Sequence, residues 1–327
     1  MIDKGLRFLT REHGLIGLSV VRIFFGIAIL YELLVNWSTR HLLWGPNGLY
    51  SYGDYKEYVS SQGIVTLFDL SNAPWMVDAV FIGGIIVALA YILGYRTRLA
   101  GVLLLILFWS LYFRNVYITH GGDNIMRLQL TYLVFANMGA YFSLDARGKR
   151  KKGNKESWLA SKPILQDCAA IFHNFAWMAA MVQLAFMYFA SGTYKVMGSM
   201  WQNGSALYYA TRVQEFYTPG LSDLLWQSET FLVLMAHMTV IYQVAFPFLL
   251  LNRYTKYIAL LTAFTFHTGI AVVMGLYDFS WIMIGCEFLL LTDKDYRALD
   301  QGWSRFTLWA GSKFKKKQKY ALKGDHA

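Results

Sequence analysis

Apolar residues run along this chain in stretches longer than one face of a soluble helix requires, and without the two-residue alternation of a half-buried strand. The runs fall at about 15–36, 75–94, 99–118, 126–143, 166–192, 229–250, 257–274 and 279–291. Most approach the roughly 20 residues that an α-helix needs to cross a hydrocarbon core about 30 Å thick. The pattern predicts an all-α, polytopic transmembrane helical bundle of about eight spans. Arg127 and Gln129 interrupt the fourth run and the eighth is short, so six or seven complete crossings also fit. The first run continues to about Val35 with no small-residue cleavage site, which reads as an uncleaved span rather than a signal peptide.

Two polar gaps are long. Residues 37–74 carry Trp37, Trp44, Tyr50, Tyr52, Tyr55 and Tyr58, and residues 196–228 carry Trp201, Tyr208, Tyr209 and Trp226, a density that suits a cap at the lipid headgroups. WGPNGLY at 44–50 reads as a turn, and SALYYATRVQEFYTPG at 205–220 as an interfacial amphipathic helix ended by Pro219 and Gly220.

Composition agrees with lipid as the solvent: 56% of the 327 residues are hydrophobic, 17% aromatic and only 15% charged. The net charge of +10 matters through its placement. Of 30 Lys and Arg, 23 lie at the N-terminus, at Arg96 and Arg98, in 147–162, at Arg253 and Lys256, and from Lys294 onward. The alternate gaps hold only Arg40, Lys56, Lys195 and Arg212. Basic loops stay on the cytoplasmic side, so both termini are expected there. The chain then divides into a cytoplasmic N-terminus (1–14), a transmembrane domain (15–292) and a basic cytoplasmic tail (293–327), whose KFKKKQK at 313–319 would be attracted to anionic lipid. Basic residues confined to short gaps do not form a nucleic-acid-binding face. Cys168 and Cys286 lie singly in apolar runs and read as small buried hydrophobes, not as a disulfide or CxxC pair. The seven histidines lack HExxH spacing and no P-loop or Rossmann fingerprint occurs, so neither a metal site nor nucleotide chemistry is predicted.

Ionisable groups within spans are costly in lipid and therefore stand out: Arg22, Glu32, Arg114, Arg127, Lys195, His237, His267 and Glu287. At 1.5 Å per residue, His237, His267 and Glu287 each lie about 12 Å from the outer end of three consecutive spans, a candidate proton-handling layer. Lys195 ends MVQLAFMYFASGTYK with Tyr188 and Ser191 on the same helix face. An amine against apolar walls loses solvation, which favours a neutral base, although snorkelling to the headgroups explains such a lysine too. On the same side, RNVYITHGGDN at 114–124 offers Asp123, a partner for Arg114 or Arg127 or a proton acceptor in its own right. Arg22 and Glu32 are too far apart along one helix to pair and need other partners.

VRIFFGIAILYE at 21–32, LGYRTRLAGVLL at 93–104, RNVYITHGGDN at 114–124 and MYFASGTYKVMGSMWQNGSAL at 187–207 together resemble the HTTM membrane domain, shared by vitamin K-dependent gamma-carboxylases and many bacterial proteins. The resemblance spans about residues 15–292. It places Lys195 where the carboxylases carry the lysine that acts as base on reduced vitamin K, and so implies a functional lysine and a lipid-soluble quinone as the cofactor class. Two features depart from the carboxylases: the GGDN region replaces their histidine before the fourth span, with His120 out of register, and no large extracytoplasmic domain follows. In length and span number the chain looks most like the bacterial sporulation-delaying SdpB subgroup, implicated in maturing a secreted antimicrobial peptide with a small partner protein. That implies a bacterial cytoplasmic membrane, an exported peptide precursor and a small co-encoded protein as partners, and no nucleic acid. The expected catalytic group is Lys195 with Asp123, His237, His267 and Glu287 as proton partners, and Tyr188, Tyr194, Arg127 and Trp201 as substrate contacts. A quinone-linked modifying enzyme and a non-catalytic transporter or scaffold are the other readings, and no internal repeat or paired broken helices favour transport.

Overall fold

The structure, a computed structural model, describes residues 8–151, 162–305 and 307. Eight principal helices follow the apolar runs: α1 (Leu15–Val35), α2 (Pro74–Leu93), α3 (Thr97–Arg114), α4 (Gly121–Leu133), α5 (Pro163–Met197), α6 (Glu229–Leu249), α7 (Arg253–Met274) and α8 (Tyr277–Glu287). Their ends are written in local chemistry. Pro74 and Pro163 open α2 and α5, where the missing N–H costs nothing. Ser228 and Asn252 accept backbone N–H bonds at the starts of α6 and α7, and Gly94 and Gly275 close α2 and α7 in left-handed conformation.

Six of these helices, all but α4 and α8, are long and apolar enough to cross a membrane. The 13 residues of α4 and 11 of α8 reach only about 20 Å and 16 Å. Both short helices are wrapped by the others: α8 packs on α1, α4 and α7, and α4 on α3, α5 and α8. Ile282, Met283, Cys286 and Glu287 of α8 and Met126, Gln129 and Leu130 of α4 are buried, which is why α4 tolerates polar residues. The lipid-facing belt comes from the long helices, with Ile86, Val182, Phe186, Ile241 and Leu261 exposed. Such a surface requires an apolar solvent, and the protein is a membrane protein.

The fourth run, 126–143, is helical only to Leu133, and the chain to Phe142 is irregular. Arg22 accounts for this. Its fully buried guanidinium donates to the carbonyls of Tyr91, Ile92 (2.6 Å), Met138 (3.1 Å) and Phe142 (2.7 Å), joining the end of α2 to the irregular segment. Asp145, just beyond, accepts from the backbone N–H of Arg96 and Thr97 at the start of α3. Burial would raise the Asp145 pKa, but these backbone bonds and the Thr97 hydroxyl hold it below the usual carboxylate range.

The aromatic gap 37–74 is a folded cap, not a loose interfacial layer. Arg114 donates to Gly45 O and Tyr50 O (3.2 Å) and lies 5.1 Å from the Tyr55 ring, while Trp44 Nε1 donates to Leu111 O. A turn does occur within 44–50, closed by Gly48 N–H to Gly45 O. The expected helix over 205–220 breaks into Ala206–Ala210 and a 3-10 turn at Gln214–Phe216, followed by a helix at Leu221–Trp226. The break lets Arg212 lie over Tyr208 (3.7 Å) and Trp226 (4.5 Å), with Trp226 Nε1 donating to Thr211 Oγ1. Cys286 is buried as expected, but Cys168 is exposed, because the first turns of α5 run beyond their neighbours among the described residues.

At the opposite, basic end, residues 293–305 are helical. Asp293 accepts from the N–H groups of Leu15 and Ile16 at the start of α1, and Asp295 pairs with Lys256 (2.8 Å) and Tyr257 (2.6 Å). His173 and Asn174 of α5 bind the backbone of residues 8–13. Replacing Arg22 by Met should lower stability by on the order of 3–5 kcal/mol, since several buried carbonyls lose their donor together. Thermal unfolding in detergent measures this, and an unchanged midpoint would mean those carbonyls reach water.

Candidate functional site

Two polar centres lie along α5. The deeper one joins three helices: Tyr188 of α5, His267 of α7 and Glu287 of α8, all buried. The Tyr188 hydroxyl is 2.7 Å from His267 Nε2 and 3.1 Å from Glu287 Oε1, and His267 Nε2 is 3.8 Å from the same carboxyl oxygen. A hydroxyl has one proton to give. When Tyr188 donates to a Glu287 carboxylate, it accepts from His267; when Glu287 is protonated, the direction can reverse. The trio therefore holds a proton that can pass between imidazole and carboxyl through the phenol. Phe246 stacks on Tyr188 with centroids 4.0 Å apart, and Phe279 closes on His267 edge-on.

The second centre is Lys195, about 10 Å further along α5. Its amine donates to Ser191 Oγ at 2.7 Å and lies 5.2 Å from the Trp201 ring. Among the described residues no carboxylate pairs with it. Gly192, one turn earlier, packs against Val244 and Gln243, where a Cβ would come within 2.8 Å of the Val244 backbone, so Lys195 lies alongside the body of α6 and not at its start. A cleft of about 550 Å³ opens beside it, lined by Ser191, Tyr194, Lys195, Ser199, Met200 and Trp201.

The sequence-predicted residues thus separate. His267 and Glu287 meet, as their common depth suggested, and Tyr188 completes that buried centre, away from the cleft. His237 stands apart: its Nδ1 lies 2.8 Å from Val233 O and its Nε2 3.3 Å from Gln202 O, so the neutral ring donates to one of the two carbonyls beside the loop behind Trp201. Tyr194 and Trp201 line the cleft with Lys195. Arg127 donates to Asn124 Oδ1 and lies between 4.8 and 5.3 Å from the rings of Trp109, Tyr112 and Phe113.

Asp123 pairs with neither Arg114 nor Arg127. Its Oδ2 caps the start of α4 by accepting from the His120 N–H at 2.9 Å and its Oδ1 lies 3.5 Å from His120 Nε2, while the same His120 nitrogen reaches Asp278 across the bundle. Asp278 carries no comparable signal in the sequence, because it opens α8 rather than interrupting an apolar run. The fold brings His120 and Asp278 together over 158 residues.

Tyr188→Phe should destabilise the protein by about 1–3 kcal/mol, because buried imidazole and carboxyl groups lose their shared partner. Tyr194→Phe, on an exposed ring, should leave the unfolding midpoint unchanged, and equal midpoints for the two variants would contradict the shared-proton geometry.

No curated protein and no solved structure matches the chain. The HTTM domain model matches residues 11–296, from just before α1 to just beyond α8. With nearly the whole described bundle covered, the chain belongs to the HTTM domain family.

Proposed function

We propose that this protein is a membrane enzyme that modifies an exported peptide, with Lys195 as its base, acting in the maturation of an antimicrobial (toxin) peptide in a bacterial cytoplasmic membrane. The observation that carries the reading is the Lys195 amine, held by a neutral hydroxyl and an aromatic face at the edge of an open cleft, without a counter-ion among the described residues. A lysine kept for stability is ordinarily paired or sent to the headgroups. Here Ser191 positions the amine, and Tyr194 and Trp201 offer flat apolar surfaces to a ligand.

The same residues fit a lipid-soluble quinone, the cofactor class that the family's carboxylases use. Trp201, Tyr194 and Met200 would hold an apolar ring system, and Lys195 would stand at its polar edge. When bound, a hydroquinone would supply reducing electrons and an acidic ring hydroxyl. Tyr188, His267 and Glu287 serve as a reservoir two helical turns deeper, able to take up or return a proton. An exported peptide precursor would reach Lys195 from the cleft, beneath the loop beside His237, and a small co-encoded protein is the expected partner.

Lys195→Ala and Lys195→Arg, expressed in the native host, should each leave the protein abundant in the membrane while the mature peptide disappears from the mass spectrum of secreted products. Arginine keeps the charge but cannot act as a base. Persistence of the mature peptide in both variants would exclude lysine chemistry and make a scaffold or transporter the better account.

A further inference from the structure

We propose that His120, Asp123 and Asp278 bind a divalent first-row metal ion at the low-charge mouth of the bundle. One ligand atom from each of the three lies within 4.8 Å of the others, although α4 and α8 contribute them separately. His120 Nε2 is 2.9 Å from Asp278 Oδ2 and 3.5 Å from Asp123 Oδ1. Adjacent donors on an ion with bonds of about 2.1 Å sit roughly 3.0–3.4 Å apart, so the cluster needs only small side-chain adjustments.

Asp123 supplies the independent sign. The residue is 4% exposed, its Oδ2 is used by the His120 N–H, and its Oδ1 has no hydrogen-bond partner while turned toward the His120 ring. A buried carboxylate oxygen left without a proton or cation is costly. Charge points the same way. Glu32 on α1 acts electrostatically on both Asp123 and Asp278, and among the described residues no lysine or arginine pairs with any of the four. One imidazole with two carboxylates suits Mn²⁺, Fe²⁺ or Zn²⁺ better than the all-oxygen sites of Mg²⁺ or Ca²⁺.

The site is built into the helix starts. Asp123 caps α4 through its other oxygen, and a Cβ at Gly122 would sit 2.7 Å from His120 Cε1, so glycine there lets the ring lie against the helix. With its side chain 41% exposed, His120 leaves the ion a route from water. The Gly122 N–H donates to Nδ1 at 3.0 Å, so in this geometry the neutral ring carries its proton on Nε2, facing Asp278. Binding through Nε2 moves that proton to Nδ1 and gives up the Gly122 bond, while the Asp123 cap on the His120 N–H remains.

The test uses the full chain purified in detergent, stripped with EDTA and titrated with MnCl₂ while the EPR signal of free Mn²⁺ is followed. Uptake of about one Mn²⁺ per chain, displaced by ZnCl₂, is expected. Asp278→Asn and Glu32→Gln should each weaken it by about tenfold or more, with wild-type gel-filtration profile and unfolding midpoint. Absence of saturable uptake of Mn²⁺, and of Zn²⁺ by calorimetry, would overturn the site in favour of a protonated His120 bridging two carboxylates. Unchanged uptake in a well-folded Asp278→Asn protein would overturn it too.

Discussion

Backbone amides and carbonyls inside a bilayer have no water to fall back on, and this requirement governs the architecture. Helices meet it internally, so the crossings are helical. Where the chain leaves helical geometry within the bundle, another group must take over. Arg22 does so at the junction of α1, α2 and the segment after α4, where one guanidinium serves four carbonyls. A charge that would be prohibitive against lipid becomes the fastening of the bundle because its donors are matched to backbone acceptors. Arg114 repeats the solution at the other end with Gly45 and Tyr50.

The same constraint sorts long helices from short ones. Helices that touch lipid must span it, whereas α4 and α8, enclosed by protein, can be short and polar. The buried trio and the cluster at the mouth use this enclosure: Glu287 and Asp278 lie on α8, Asp123 on α4, and longer helices provide Tyr188, His267 and Glu32. An ionisable group placed there is shielded from lipid by neighbouring helices rather than by its own pairing.

Hydropathy made the six long helices legible in the sequence, because length and apolar composition are carried by each segment on its own. The Lys195–Ser191 contact was legible too, since four residues make one helical turn. The Arg22 partners were not: carbonyl acceptors carry no side-chain signature, and Met138 and Phe142 lie in a run that looks helical. Common depth grouped His237, His267 and Glu287; the fold joins the last two through Tyr188 and turns His237 toward Val233 and Gln202, since depth says nothing about which way a side chain points around its helix. Helical spacing put Tyr188 on the face of Ser191 and Lys195, whereas its hydroxyl meets His267 and Glu287. His120 and Asp278 lie on segments far apart in sequence, and only the packing of α8 against α4 joins them.

The overhang of α5 has a practical consequence. His173 meets residue 13 just before α1 begins, and Pro163 lies ten residues earlier, which is about 15 Å of additional helix. Cys168 sits on that projecting stub, and Cys286, the other cysteine, is sealed inside the bundle. The native chain therefore carries a ready-made handle for a thiol-reactive dye. Reagents that cannot cross a bilayer would read from it which face of the membrane the stub occupies, with no engineered residue.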